Sequence, residues 1–130
     1  MINDAVSKIR SAAGTRILVV GDVMLDHYVL GDVQRVSPEA PVNVLKVARE
    51  FDRSGGAANV TLNLAALGMT PVTVGAIGED DAGRRLKARF VEKGLDARGL
   101  IPFAGRTTTR KTRLIARGQQ LLRVDFEDTQ

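Results

Sequence analysis

The sequence contains no cysteine, no tryptophan and only one histidine, His27. Without cysteine the chain can form no disulfide, thiolate zinc site or iron–sulfur cluster, and it has no cysteine nucleophile. A single histidine excludes a metal site built from several imidazoles. Aromatic residues make up 4% of the chain, and no predicted helix concentrates its basic residues on one face. Both features argue against a nucleic-acid partner.

Long hydrophobic runs are also missing. The longest covers only Ile17–Val20, whereas a membrane-spanning helix needs about 20 apolar residues. The N-terminus lacks the charged and apolar regions of a signal peptide, so we expect no membrane partner and a cytoplasmic location. Lys and Arg number 19 against 15 Asp and Glu, and the resulting net charge of +4 suits an anionic small molecule.

The 130 residues, 44% of them hydrophobic, are enough for one globular domain. A β-branched run, Arg16–Gly21, is typical of a strand buried on both faces of a parallel sheet. A helix follows Gly55-Gly56, a second core strand covers Val72–Ile77, and Asp80 or Asp81 caps another helix. This alternation of strands and helices predicts an α/β fold in which right-handed crossovers connect the strands of a parallel sheet.

Two segments have a different pattern. Residues 28–47 are short alternating stretches interrupted by Pro38 and Pro41, and they predict edge strands outside the main sheet. Residues 107–126 predict a long β-hairpin that turns at Gly118.

Gly55, Gly56 and Asn59 are the first candidate binding residues. Paired glycines let backbone amides approach a ligand closely, and a helix N-terminus offers unpaired N–H groups. Asn59, one turn into the helix, could donate to and accept from a polyol. The alternative is a tight turn followed by an ordinary polar residue. The sequence has neither the dinucleotide-binding fingerprint nor a Walker A motif.

Asp26 is the second candidate, because it lies just beyond the first strand, where ligands of open α/β sheets bind. Its carboxylate could accept two hydroxyl hydrogen bonds, or it could be solvated or cap a turn. We expect His27 to be a surface imidazole.

The predicted hairpin carries basic residues at alternate positions, which share one face of a strand. They either hold a phosphate or protect a solvated edge from aggregation. The basic residues are Lys111, Arg113 and Arg117, and the apolar Ile115 lies on the same face. A second basic group is dispersed around the helix after Asp80 and predicts solvated surface: Arg84, Arg85, Lys87 and Arg89.

The segment Gly55-Gly-Ala-Ala-Asn59-Val-Thr, followed by Gly68 and Gly78, resembles the N-terminal signature of the ribokinase/PfkB family of carbohydrate kinases. The loop GDVMLDHY resembles the first strand and loop of that family. The resemblance implies the N-terminal portion of a ribokinase-like parallel sheet with flanking helices, and a small β-lid formed by the two unusual segments. It also implies a substrate-binding role for Asp26, Gly55, Gly56 and Asn59.

Within the family, residues 35–47 and 107–127 look like the D-glycero-β-D-manno-heptose 7-phosphate kinases of lipopolysaccharide synthesis. That resemblance implies transfer of a phosphoryl group from Mg-ATP to C1 of a heptose 7-phosphate. It also implies that Lys111 and Arg113 contact the phosphate of this sugar substrate, and that the lid makes a dimer contact.

The Asp-Thr-Gly-Ala-Gly-Asp type motif that supplies the family's catalytic aspartate and anion hole is absent; the only Asp-Thr here is Asp128-Thr129. We therefore expect residues 1–130 to be an incomplete ribokinase-like domain, with lid segments near 28–47 and 107–126. We expect no catalytic residue, no metal ligand, little affinity for Mg-ATP and no turnover by the chain alone. Homodimerisation through the lid or an exposed sheet edge is expected. The alternative function is a non-catalytic sugar-phosphate-binding or dimerisation module.

Overall fold

The computed structural model describes residues 1–128, so Thr129 and Gln130, the last two residues of the predicted domain, lie outside the described residues. The three helices are α1 (Ile2–Ser11), α2 (Ala57–Ala66) and α3 (Asp81–Glu92). The seven strands are β1 (Arg16–Val20), β2 (Val23–Val36), β3 (Asn43–Gly56), β4 (Thr70–Gly78), β5 (Leu100–Phe103), β6 (Arg110–Ala116) and β7 (Gln119–Phe126).

A three-stranded parallel sheet in the order β1-β4-β5 forms the base of the molecule. Its first two strands, β1 and β4, contain the two core-strand runs that the sequence identified, and Gly21 closes the first run as predicted. The predicted α/β class with a parallel sheet and flanking helices is confirmed. Sequence patterning did not identify β5, because this strand has only four residues and includes Pro102.

Helices α2 and α3 pack on one face of this sheet. The main core cluster includes Leu25, Ile77, Leu86, Phe90 and Leu100, each at most 1% exposed. Between α2 and β4 the hydroxyls of Thr61 and Thr73 lie 2.6 Å apart, and Thr61 also donates to the Ala57 carbonyl. These bonds satisfy polar groups that would otherwise be buried unpaired.

The other four strands form a second sheet, the lid sheet, in the order β3-β2-β6-β7. Strand β2 pairs antiparallel with β3 and parallel with β6, so it is a central strand. The prediction of an edge strand was wrong for β2, because its second partner comes from far along the chain. Pro38 and Pro41 lie in the connection between β2 and β3, where they interrupt no ladder. The β2–β3 pair spans residues 23–56, which is wider than the predicted 28–47.

The two sheets are joined at the start of α3. Asp80 caps α3 by accepting from the Gly83 amide at 2.8 Å, and its other oxygen accepts from the Thr108 amide at 2.8 Å. The Thr108 hydroxyl accepts from the Gly78 amide at the end of β4. The end of the parallel sheet, the helix and the approach to β6 therefore share one hydrogen-bonded junction. None of the helices in residues 1–128 is long and apolar enough to cross a membrane.

Candidate functional site

Asp26 and Arg113 form an ion pair on one face of the lid sheet, called here the front face. Asp26 lies opposite Arg53 of β3 and Lys111 of β6 in the strand register. Arg113, one pleat further along β6, donates from Nη1 to Asp26 Oδ1 at 2.5 Å. This side-chain hydrogen bond raises the pKa of the Arg113 guanidinium above its ordinary value. The ion pair orients the Asp26 carboxylate and leaves its Oδ2 oxygen unbonded to the Arg113 guanidinium.

Gly55 makes room for the Asp26 carboxylate. A Cβ at position 55 would lie 2.5 Å from Asp26 Oδ2 and 2.8 Å from Met24 Cγ, both closer than real side chains approach. The sequence predicted that the glycine pair admits a ligand; at Gly55 the group admitted is a side chain of the protein itself.

Gly56 has a different task, at the junction of β3 and α2. Its φ of +58° is in the left-handed region that favours glycine, and a Cβ there would collide with the Asp22 carbonyl. The amide of Ala57 donates to that carbonyl at 2.8 Å, which pairs one amide of the first helical turn. Gly56 therefore forms the turn by which the chain passes from β3 into α2.

A cavity of about 280 Å³ opens where the lid sheet meets α2 and α3. Strands β2 and β3 contribute Asp26, Tyr28, Arg53 and Ser54 to its lining, and the helices contribute Asn59, Leu62 and Arg89. Asp26 and Asn59, the two polar residues that the sequence singled out, thus line one cavity.

Tyr28 and Arg53 form one wall of the cavity, and both belong to a larger cluster of aromatic and guanidinium groups. Tyr28 stacks on Phe51 with ring centroids 5.0 Å apart and ring planes 6° from parallel. The Arg53 and Arg113 guanidiniums lie 5.4 and 5.3 Å from the Tyr28 centroid, within the range of cation–π attraction. The wall therefore combines a flat apolar surface with positive charge.

Lys111 lies on the front face but is not among the residues that line this cavity. Its ammonium is 3.3 Å from Asp125 Oδ2 and 3.7 Å from Glu127 Oε2. Hydrogen bonds from Arg123 first, and then from Lys111, lower the pKa of Asp125. Arg117 does not continue the row, because it lies in the β6–β7 turn with φ of 51° and donates to Asp32 at 2.9 Å.

His27 and Arg85 belong to a partly buried network between the lid sheet and α3. His27 is 9% exposed, and its Nδ1 lies 2.8 Å from Asp52 Oδ1. Arg85 donates from Nε to Asp52 Oδ2 at 2.8 Å, and Glu50 lies 3.4 Å from His27 Nε2. The predictions of a surface imidazole and a solvated Arg85 were wrong, because Asp52 reaches both from a strand that the local sequence could not place.

Arg89 was also predicted to be solvated, yet it lines the cavity. Its Nε is buried and has no hydrogen-bond acceptor among the described residues. The spacing of Arg85 and Arg89 by four residues was the available signal, since that spacing places both on one side of a helix. The sequence analysis did not single out Arg53 or Tyr28. Both share the front face with Asp26: Arg53 lies opposite it on β3, and Tyr28 is two residues further along β2.

The residues at the cavity suit an anion or a polyol better than a metal ion. Within residues 1–128 no group of three His, Asp or Glu residues could hold a metal. Arg113 is bound to the Asp26 carboxylate, Arg53 and Arg89 line the same cavity, and their charges oppose binding of a divalent cation there. The described residues of the cavity therefore do not fit Mg²⁺, and no step of a phosphoryl transfer is derived from them.

Residues 14–129 match the family described as pfkB family carbohydrate kinase. The chain is 54% identical over 117 residues to the bifunctional protein HldE of Hyphomonas neptunium, which covers 90% of this chain and 24% of that protein. It is 52% identical over 115 residues to the D-beta-D-heptose 7-phosphate kinase of Bordetella bronchiseptica, which covers 88% and 36% respectively. The chain thus spans about a quarter to about a third of the length of these curated relatives.

Solved structures share the fold at lower identity. A carbohydrate kinase from Agrobacterium tumefaciens superposes with a TM-score of 0.67 at 22% identity, covering 86% of this chain and 35% of that one. An Arabidopsis thaliana ribokinase complexed with ribose and ATP superposes with a TM-score of 0.66 at 19% identity, covering 88% and 36%. These similarities establish the ribokinase-like fold.

Proposed function

Because the chain belongs to the pfkB family of carbohydrate kinases, we propose that it supplies the sugar-binding part of an ATP-dependent kinase for D-glycero-β-D-manno-heptose 7-phosphate. The reaction is phosphorylation at C1, in the cytoplasmic synthesis of lipopolysaccharide heptose. The similarity to HldE and to a heptose 7-phosphate kinase supports this choice of substrate.

The observation that carries the proposal is the single cavity shared by Asp26 and Asn59. The free oxygen of Asp26 accepts a sugar hydroxyl, and the Asn59 amide both donates and accepts. Tyr28 offers a flat face to the C–H groups of a sugar ring. Arg113 holds Asp26 in place rather than contacting the ring, and Gly55 keeps the space that the carboxylate needs.

The chain is not expected to transfer a phosphoryl group by itself. This transfer depends on positioning and on stabilising charge at the transferring group. The glycine-rich motif that provides the family's catalytic aspartate and anion hole is not in this sequence. Mg-ATP is therefore assigned to the complete enzyme and only weakly, if at all, to these 130 residues.

Calorimetric titration tests the proposal directly. Heptose 7-phosphate is expected to bind the purified 130-residue chain, whereas ATP with Mg²⁺ is expected to produce no binding heat, and a coupled assay is expected to detect no ADP. Failure of heptose 7-phosphate to bind would remove the sugar-binding assignment. ADP formation that depends on the sugar would instead show that the chain contains a catalytic group that we have not assigned.

A non-catalytic module that also mediates assembly is the second candidate. The face of the parallel sheet opposite α2 and α3 supports it, because Leu18, Val20, Ile101 and Phe103 are each at least 45% exposed there. Exposed apolar groups of this extent favour association with another protein surface. We propose a homodimer, formed through this sheet or through the lid sheet.

A further inference from the structure

We propose that Arg53 and Arg89 form an anion subsite in the cavity beside Asp26 and Asn59, where they hold the phosphate of the phosphorylated sugar. The inference rests on the proposed function and names the part of that site which distinguishes a sugar phosphate from a sugar. It differs from the expectation that Lys111 and Arg113 contact the phosphate.

Arg53 and Arg89 approach the cavity from two separate elements. Arg53 is on β3, the edge strand of the lid sheet, and Arg89 is on the last turn of α3. Neither takes part in the ion pairs found among residues 1–128. Arg85, one turn before Arg89 on the same side of α3, is by contrast bound to Asp52.

The Arg89 guanidinium, unpaired among residues 1–128, is the observation that points to a ligand. Its Nε is buried and has no acceptor in the part of the chain that the structure describes, although the side chain lines the cavity. A buried donor without an acceptor is unfavourable, and guanidinium groups bind phosphate oxygens with paired N–H donors. Because Nε is enclosed by protein atoms, a phosphate in the cavity would be bound by the terminal N–H groups of the same guanidinium.

The charge around the cavity also favours a phosphate. Two guanidiniums, those of Arg53 and Arg89, line the cavity with one carboxylate, Asp26, which is already paired with Arg113. A phosphate monoester carries about −1.5 to −2 charges near pH 7, which matches the two remaining cations. The volume of about 280 Å³ is near the lower end of small-molecule cavities, about 300 Å³, and suits one sugar phosphate.

The two basic residues favoured by the resemblance are already engaged elsewhere. Lys111 is held by Asp125 and Glu127, and Arg113 is bound to Asp26. Part of the charge and hydrogen-bonding capacity of each is therefore already used by carboxylates. Arg53 and Arg89 are in none of the ion pairs found among residues 1–128, and they line the same cavity as Asn59.

Parallel calorimetric titrations with heptose 7-phosphate and with unphosphorylated heptose test the subsite. We expect Arg53→Gln and Arg89→Gln each to weaken binding of the phosphorylated sugar by about tenfold or more, in line with the loss of charged hydrogen bonds. Affinity for unphosphorylated heptose is expected to change less than about twofold. Arg53→Lys and Arg89→Lys keep the charge and are expected to retain part of the preference.

Two matched controls isolate the effect. Arg49→Gln removes another guanidinium that stacks on Phe51 from the same strand, outside the cavity lining. Arg84→Gln removes an exposed arginine of α3. Both are expected to bind the phosphorylated sugar as the wild type does, and the thermal unfolding midpoint of every variant reports whether its fold is kept.

The outcomes separate this inference from the function on which it rests. If both glutamine variants, still folded, keep the full preference for the phosphorylated sugar, the subsite is wrong. Loss of that preference in Lys111→Gln alone would overturn it in favour of Lys111. Binding of ATP that depends on Arg53 and Arg89 would assign the subsite to a nucleotide phosphate instead. If neither heptose ligand binds the wild type, the proposed function fails and the subsite fails with it.

Discussion

At the scale of single residues, Gly55 and Asp26 act as a pair. The carboxylate occupies the position that a Cβ on residue 55 would need, and Arg113 fixes the other carboxylate oxygen. The glycine is therefore required for the orientation of a binding group, not for a turn. A glycine conformational argument applies at Gly56, which has a positive φ, but not at Gly55.

Gly55→Ala is expected to displace the Asp26 carboxylate and to weaken binding of heptose 7-phosphate by about tenfold, since a charged hydrogen bond contributes about 1.5–3 kcal/mol. Gly21→Ala is the control, because its Cβ would meet Ala57 Cβ at an ordinary 3.4 Å. Titration of both variants checks the prediction. Unchanged affinity in Gly55→Ala would show that the Asp26 position does not matter for binding.

Sequence reasoning at this scale identified residues that belong to a local motif. Asp26 and Asn59 could be singled out because glycine spacing and strand ends are visible within a few positions. Arg53 and Arg89 were not identified as cavity residues, because that position depends on an edge strand and a helix meeting; the spacing of Arg85 and Arg89 indicates only that both lie on one side of a helix. His27 was misplaced for the same reason, since its partner Asp52 is 25 residues away.

At the scale of elements, α3 connects the two sheets through contacts along its length. Asp80 holds the first turn to Thr108, Arg85 contacts Asp52 of β3, and Arg89 reaches the cavity. A substitution that breaks these contacts of α3 is therefore expected to lower the stability of the molecule and to shift the lid sheet.

The pKa of Asp80 is lowered from its ordinary 3.8: burial raises it, but hydrogen bonds from Thr108 and Gly83 outweigh burial. Its stabilising contribution is therefore complete above pH 3.8 and disappears as the pH falls through the lower, folded-state pKa. Asp80→Ala is expected to lower the free energy of unfolding by about 1–2 kcal/mol at pH 7, as for a lost helix cap, and by progressively less below pH 4.

Urea unfolding of the wild type and of Asp80→Ala from about pH 2.5 to about pH 7, a range that includes the ordinary pKa of an aspartate carboxyl group, measures this difference in the free energy of unfolding. Asp4→Ala, on the exposed face of α1, is the control and should show little change. A difference between wild type and Asp80→Ala that stays constant with pH would mean that the Asp80 charge is not involved.

Arg85→Ala is expected to destabilise the molecule by about 1–3 kcal/mol, because it leaves the Asp52 carboxylate, whose side chain is 11% exposed, without its guanidinium partner. Hydrogen exchange should increase in β2 and β3 near His27. Arg84→Ala, whose ion pair with Asp81 is solvent-exposed, should have no measurable effect. Equal unfolding free energies for the two variants would contradict a connecting role for Arg85.

At the scale of the whole molecule, helices cover only one face of the parallel sheet in residues 1–128. On β1 the side chains alternate, so Val19 is buried while Leu18 and Val20 are 65% and 68% exposed. Another cavity, of about 310 Å³ and lined by apolar residues, lies on the face that the helices leave uncovered, between Val20, Val74, Ile101 and Phe103. Apolar groups are exposed at the lid sheet as well, including Val36 at the end of β2 and Val42 in the connection to β3.

We expect the chain to self-associate at about tens of micromolar, where exposed apolar surface of this kind favours contact. Leu18→Lys combined with Val20→Lys should shift the population toward monomer in light scattering, because it places charges on the uncovered sheet face. Val36→Lys combined with Val42→Lys tests the lid in the same way. A wild type that stays monomeric at these concentrations would contradict both routes.

The overall class of the molecule was predictable because buried parallel strands and glycine-ended helices leave a local pattern. The pairing within the lid sheet was not, since residues paired between β2 and β6 are 85 positions apart, as in Leu25 and Arg110, and neither strand reveals its neighbour. Strand β5 was missed because four residues that include a proline carry too little pattern.

Binding of a phosphorylated sugar between Asp26 and Asn59 is the central claim, and one titration tests it most directly. Heptose 7-phosphate is titrated into the wild type, Asp26→Asn and the exposed control Asp96→Asn, with folding checked for each. The predicted result is binding by the wild type and Asp96→Asn, and an affinity at least about tenfold weaker for Asp26→Asn. Equal affinity in all three proteins would contradict the claim.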